Sequence, residues 1–195
     1  MDTLAFELDV PESEQLRAAV RQRLSQAAAG ITPDGFAALL PGHCKYLLHW
    51  LFRQVGADEG TIWLVDAERK HLVPAYNTGP HTKALVGVFR QPLGEGLVSL
   101  VFANGQSLVE NEVYKNIDHS KRVDHALSQR TEAIMIVPFQ VLGDVDGVIS
   151  CVVLGDAQGE PRRQFTAEQL EFLAFQARVF GALFQNSLLE RIFGL

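Results

Sequence analysis

Apolar residues along this chain fall at helical spacing near its two ends and at strand-like spacing between them. Leu16, Val20, Leu24 and Ala27/Ala28 recur three and four apart, and Gly30 ends the run, which predicts a helix from Pro11 to Ala29. Proline suits a first turn, and Glu12 and Glu14 favour the positive end of the helix dipole. This stripe is narrow and alanine-rich, so it suits packing on another helix better than covering a sheet. Residues 1–11 read as extended. Thr32-Pro33-Asp34 opens a second helical stretch, which Pro41-Gly42 interrupts. A stronger helix then runs from about His43 to Gln54 and ends near Gly56. Its Tyr46, Leu47, Leu48, Trp50, Leu51 and Phe52 cover most of its girth, which predicts burial between layers.

The middle of the chain reads as strands. Thr61–Asp66 is β-branched and aromatic, Asp66–Lys70 is a polar turn, and His71–Asn77 is the return strand. Pro74 has no N–H to give a ladder, so the return strand is expected at a sheet edge. A helical turn over 81–86 and a third strand from Gly87 to Pro92 follow. Gly94-Glu95-Gly96 leads into a helix, Leu97–Ala103, which Asn104-Gly105 stops before a short strand, Ser107–Glu110. Two long apolar runs, Ala133–Leu142 and Val145–Leu154, are joined by Gly143-Asp144 and form a hairpin. Along its first strand Ala133, Met135, Val137 and Phe139 share one face, and Ile134, Ile136 and Pro138 the other. Both faces are apolar, so the sheet is covered on both sides, and alternation leaves open which face lines a pocket.

After a polar loop over 155–164, Phe165-Thr166 and Gln169 spell a capping box with a hydrophobic staple. The last helix runs from Ala167 towards Ile192 with two apolar stripes. One is Leu170, Leu173, Ala177, Phe180, Phe184 and Leu188; the other is Phe172, Phe175, Val179 and Leu183. Two stripes need two partners: the sheet for one, and a second subunit or the first helix for the other, with Phe175 and Phe180 as candidate dimer contacts. The helix is still apolar at its end, as at a natural terminus or before an output domain.

Three clusters carry candidate chemistry. His43, Cys44 and His49 match no common zinc spacing. Gly94-Glu95-Gly96 lacks the rest of a dinucleotide fingerprint: the third glycine position is Ser99, no parallel βαβ unit follows, and Glu95 repels phosphate. It reads as a tight turn into a packed helix whose first N–H groups can face an anionic part of a small ligand. In the polar segment Asn111–Glu132, Asp118-His119 and Asp124-His125 lie six residues apart, about 600° around a helix. The two pairs then face different directions, as ordinary surface histidines of a solvated loop-helix.

Composition narrows the class. The 195 residues are 47% apolar and 21% charged with a net charge of −6, an ordinary globular balance without a basic stripe for nucleic acid. Two cysteines, Cys44 and Cys151, sit inside apolar runs and read as buried free thiols rather than a disulfide framework. There is no secretory leader pattern, and no apolar run reaches the roughly 18 residues of a membrane span. A cytoplasmic protein is expected, with no nucleic-acid or membrane partner, no metal and no cofactor.

From about Phe36 to Leu189 the chain resembles a GAF domain. The residues carrying this are Gly56–Asp66, Pro92-Leu93-Gly94-Glu95-Gly96-Leu97, Asn104-Gly105-Gln106 through Asn111-Glu112-Val113-Tyr114, Ile134–Phe139, Asp146-Gly147-Val148-Ile149, and Phe165–Leu170, all in the family's order. The resemblance implies an α+β, GAF/PAS-like profilin-type fold. It has a six-stranded antiparallel sheet, terminal helices on one face and a pocket-forming segment on the other. Residues 1–32 would be an N-terminal extension with its helix, and 33–195 the domain with its C-terminal helix. Sub-types differ at single positions. The Asn-Lys pair of cyclic-nucleotide binders is replaced by Gly155-Asp156, and residues 111–132 have no cysteine for a bilin. In the related free methionine sulfoxide reductases, cysteine thiolates attack sulfur; their positions read Val88, Val98 and Leu127 here.

The resemblance therefore implies a regulatory sensor, not an enzyme, that binds an unidentified small molecule without a covalent bond. It implies a homodimer through the terminal helices and an output partner such as a kinase, cyclase or transcription regulator. The alternative is a ligand-free dimerisation or docking module of the same fold. By placement in the fold, Phe89, Met135 and Val137 are expected to floor the pocket. Leu97, Val101, Phe102, Val113, Tyr114, Ile117 and Asp118 are expected to wall it. Ligand binding would order residues 111–132 and shift the terminal helices.

Overall fold

Six strands form one antiparallel sheet. A computed structural model describes the backbone of residues 11–141, 145–155 and 163–194, and their side chains apart from 11–13, 145 and 146. The expected extended start, the Gly143-Asp144 turn and most of the 155–164 loop lie outside these residues. Helices α1 (Pro11–Ala29), α2 (Pro33–Leu39) and α3 (Gly42–Gln54) precede strands β1 (Glu59–Val65) and β2 (His71–Asn77). Helix α4 (Thr82–Leu85), strand β3 (Gln91–Pro92), helix α5 (Gly96–Asn104) and strand β4 (Leu108–Glu110) follow. A 3₁₀ turn (Val113–Lys115) and α6 (Arg122–Leu127) lead to the long strands β5 (Thr131–Val141) and β6 (Val145–Leu154), and α7 (Ala167–Phe193) ends the chain. The strand order is β3-β2-β1-β6-β5-β4.

Each face has its own core. On one side α2, α3 and α7 cover Ile62, Leu64, Met135, Val137, Ile149 and Cys151. An aromatic cluster fills this layer: Phe36 meets Phe184 edge-on at 5.2 Å between centroids, and Phe180 lies 5.4 Å from Phe139. Each such fully buried ring contributes about 1.5–3 kcal/mol, with roughly 0.5–1.5 more per well-oriented pair. On the other side Trp63, Leu72, Leu97, Val101, Val113, Ile134, Ile136 and Val148 form a second, smaller core.

Local signals hold closely at helix ends. Thr166 accepts from the backbone N–H of Gln169, and the Gln169 side chain accepts from Thr166, so the capping box is present. Gly105 takes φ 68° as the left-handed cap of α5. Three expectations change. The third strand shrinks to Gln91–Pro92, because the N–H groups of Val88 and Phe89 turn back to Leu85 O and that of Gly87 goes to Pro74 O. Strand β2 lies second from the edge, but β3 pairs only with His71 and Leu72, leaving Pro74 beyond its reach. Helix α3 buries one face, Cys44, Leu48, Leu51 and Phe52, while Tyr46 is 74% and Trp50 38% exposed.

Candidate functional site

The smaller core is open at one end, and that end is polar. Strand β1 alternates Glu59, Thr61 and Trp63 towards this face, with Gly60, Ile62 and Leu64 towards the helices. On β6, Ser150 and Val152 share the open face, and the register sets Thr61 opposite Ser150 and Glu59 opposite Val152. Ile134 and Thr131 extend the floor on β5. Leu85, Leu97, Val98 and Val123 close the roof, with His119, Ser120, Asp124 and Gln129 between them. The cavity is about 60 Å³, room for a few ordered waters or a small organic group. Gly96 explains part of the Gly-Glu-Gly turn: its φ is +78°, and a Cβ there would stand 2.8 Å from Ser120 Cβ. The glycine lets the 119–120 segment close over the start of α5.

Hydrogen bonds fix the floor and the roof. Trp63 Nε1 donates to Ser150 Oγ at 2.9 Å, and Asn77 Nδ2 donates to Thr61 Oγ1 at 2.9 Å. Asp124 ties α6 to the start of β5, accepting from Thr131 N at 3.0 Å and from Thr131 Oγ1 at 2.7 Å. His119 Nε2 lies 3.4 Å from the same carboxylate. Burial pushes the Asp124 carboxyl up, but the His119 and Thr131 hydrogen bonds and the His119 charge outweigh it and hold it below its ordinary range. At the far end of the roof, Asn111 bridges to the entry of α7. Its Nδ2 donates to Phe165 O at 2.9 Å, and its Oδ1 accepts from Phe165 N at 2.8 Å.

Of the residues expected at the pocket, Leu97 lines the cavity. Val101, Val113, Phe102 and Phe89 belong to the core on the same face, with Phe89 edge-on behind Trp63 at 6.1 Å. Met135 and Val137 are corrected: they point to the helix layer, and their neighbours Ile134 and Ile136 face the pocket side. Ile117 is 96% exposed and Asp118 is exposed, both on the outer surface of the roof. Tyr114 stands outside the cavity under the Arg130 guanidinium, 4.5 Å above its ring. His119 is also corrected, since its side chain is only 10% exposed and pairs across the two Asp-His repeats with Asp124. Phe180 is wholly buried in the helix-side core, whereas Phe175 is 54% exposed.

Sequence reasoning missed Glu59, Thr61, Trp63 and Ser150. A signal for them was present. The three polar residues fall on one face by strand alternation, whereas the opposite positions on β1 and β6 are apolar or glycine. Both thiols, Cys44 and Cys151, sit in the helix-side core, where burial pushes each up. Among the described residues, no group of three or more His, Cys, Asp or Glu is arranged to hold a metal. Among them, no helix is long and apolar enough to cross a membrane.

A family model described as "GAF domain" matches residues 44–185. No curated protein matches the chain. Solved structures share the fold. The GAF domain from a phosphoenolpyruvate-protein phosphotransferase (ptsP) of Coxiella burnetii is 20% identical with a TM-score of 0.61, covering 89% of this chain and 95% of that one. Free methionine-R-sulfoxide reductase from Neisseria meningitidis, solved with its substrate, is 21% identical at TM-score 0.58, covering 88% and 90%. The GAF-B domain of DevS from Mycobacterium smegmatis is 19% identical at TM-score 0.56, covering 76% and 94%.

Proposed function

Because this chain belongs to the GAF domain family, whose members are generally regulatory sensors, we propose that it binds a small molecule non-covalently between sheet and roof and signals through its terminal helices as a homodimer. The observation that carries this reading is the polar-floored cavity under α4, α5 and α6. Thr61 and Ser150 on this floor are paired within the protein, to Asn77 and Trp63, but the buried Glu59 Oε1 beside them accepts no hydrogen bond. The Asn111 bridge to Phe165 gives the roof a direct mechanical hold on the start of α7. A ligand that orders the roof would therefore bias the helix behind it.

The dimer rests on an apolar strip across α3 and α7. Trp50 packs on Phe172 at 6.2 Å between centroids, and Tyr46, Phe175 and Leu183 are exposed beside them. An output partner such as a kinase, cyclase or transcription regulator would read this helix pair. We propose no catalysis: no cysteine lines the cavity, and the chemistry of thiol-based sulfoxide reduction needs one at the substrate. The small size of the cavity favours one rival, a ligand-free docking module whose core simply fills the site.

A thermal-shift screen against nucleotides, amino acids, organic acids and cofactors separates the two. A ligand at about a hundred times its Kd adds roughly 2.7 kcal/mol, or about 5–11 °C for a chain of this size. The sensor reading expects such a hit, and expects Val152→Phe, which fills the cavity, to abolish it. No hit in the wild-type protein would favour the docking module.

A further inference from the structure

We propose that the cavity is built for a small organic cation carrying N–H donors: a primary ammonium, an amidinium or a guanidinium. This deepens the sensor reading and rests on it. The carrying observation is Glu59, 4% exposed and lining the cavity. Its Oε1 is buried and accepts no hydrogen bond, and its Oε2 has only a long contact, 3.4 Å, from Asn77 Nδ2. A buried acceptor without a donor is costly, and an N–H from a ligand removes that cost.

The surroundings hold this carboxyl group in place. The Asn77 side chain is fixed by the N–H of Gly79 at 2.7 Å and the Thr82 hydroxyl at 3.1 Å. Gly79 lies directly against the Glu59 carboxyl group, where a Cβ would collide with it. The chain thus gives up a side chain at 79 to keep a carboxyl group at 59.

Charge points the same way. No lysine or arginine is among the described residues that line the cavity. Its other carboxylate, Asp124, is already committed to Thr131 and His119. Trp63 also lines the cavity, and its indole N–H is spent on Ser150, so it adds no free donor to compete for the Glu59 carboxyl group. A neutral ligand satisfies Glu59 less well, because only a cation supplies both the donor and the opposite charge in a site sheltered from water.

The test uses the full chain at pH 7 and constant ionic strength. Wild-type protein is titrated with n-propylammonium, acetamidinium and guanidinium at millimolar concentration. The controls are their neutral isosteres n-propanol, acetamide and urea, and tetramethylammonium as a charge without N–H. The expected result is a saturable rise in Tm with the N–H cations alone, weakened at least tenfold in apparent Kd by Glu59→Gln. Equal shifts with the neutral isosteres or tetramethylammonium overturn the inference, as does an undiminished response in Glu59→Gln. Should Glu59→Gln not fold, the comparison of cations with isosteres on the wild type decides. If the metabolite screen yields a cavity ligand but the cations do nothing, this inference fails and the sensor reading stands. If neither binds, both fail.

Discussion

Asp124→Asn keeps the shape of the side chain and removes the charge that ties α6 to β5. Two of its contacts are short, 2.7 Å to the Thr131 hydroxyl and 3.0 Å to the Thr131 N–H; His119, at 3.4 Å, adds less. A hydrogen bond to a charged group contributes about 1.5–3 kcal/mol, and asparagine keeps one acceptor, so the net loss is about 1.5–3 kcal/mol. The Asp124 side chain is only 14% exposed, so screening by salt is limited. At roughly 2–4 °C per kcal/mol for a chain this long, Tm should fall by about 3–12 °C at pH 7. The loss should concentrate in the roof, seen as faster amide exchange over Arg122–Leu127 with the central strands unchanged. The folded carboxyl sits below its ordinary value of 3.8. Its stabilisation is therefore complete above about pH 5 and fades as pH falls below about 4, through the folded value. The difference between wild type and Asp124→Asn, followed by circular dichroism, should shrink as pH falls below 3.8 and through the folded value. A difference that ignores pH, or unchanged exchange in α6, would refute the clamp.

Further outcomes follow from single contacts. Phe175→Asp should fold and convert the proposed dimer to monomer in sedimentation, and an unchanged dimer would remove the proposed interface on α3 and α7. Phe180→Asp should abolish the cooperative melt, since truncating a buried phenylalanine alone costs about 3–5 kcal/mol and this variant adds a buried charge; a normal melting curve would contradict its placement. Ser150→Ala leaves the buried Trp63 N–H without an acceptor, which should cost about 1–3 kcal/mol, and an unshifted Tm would show that bond to be idle. Asn111→Ala should speed amide exchange at the start of α7 and weaken ligand-dependent protection there; protection equal to wild type would break the proposed route from roof to helix.

The fold was legible because its signals are local and redundant. Thr166 and Gln169 announce α7, Gly105 ends α5, and the apolar runs of β5 and β6 can only pair. The pocket was less legible. Strand alternation separated Met135 from Ile134 correctly, yet both faces of β5 are apolar, so nothing on that strand says which one meets the helices. The deciding residues lie on other strands: Glu59 and Thr61 on β1 and Ser150 on β6 are brought together only by pairing. The roof was harder still. The His119–Asp124 contact joins a loop to a short helix across irregular backbone, and helical geometry, which set the two Asp-His pairs apart, does not apply there. Exposed Ile117 shows the converse, since an apolar side chain on an irregular segment carries no period from which to read a face.

The most direct test of the sensor account is the indole N–H resonance of Trp63 in a ¹H–¹⁵N spectrum recorded with and without a hit from the screen. The chain has two tryptophans. Trp63 lines the cavity and donates to Ser150, while Trp50 sits on the opposite, helix-covered side. The Trp63 signal should move and saturate with ligand. A ligand that stabilises the protein but leaves Trp63 in place would put binding elsewhere and contradict it.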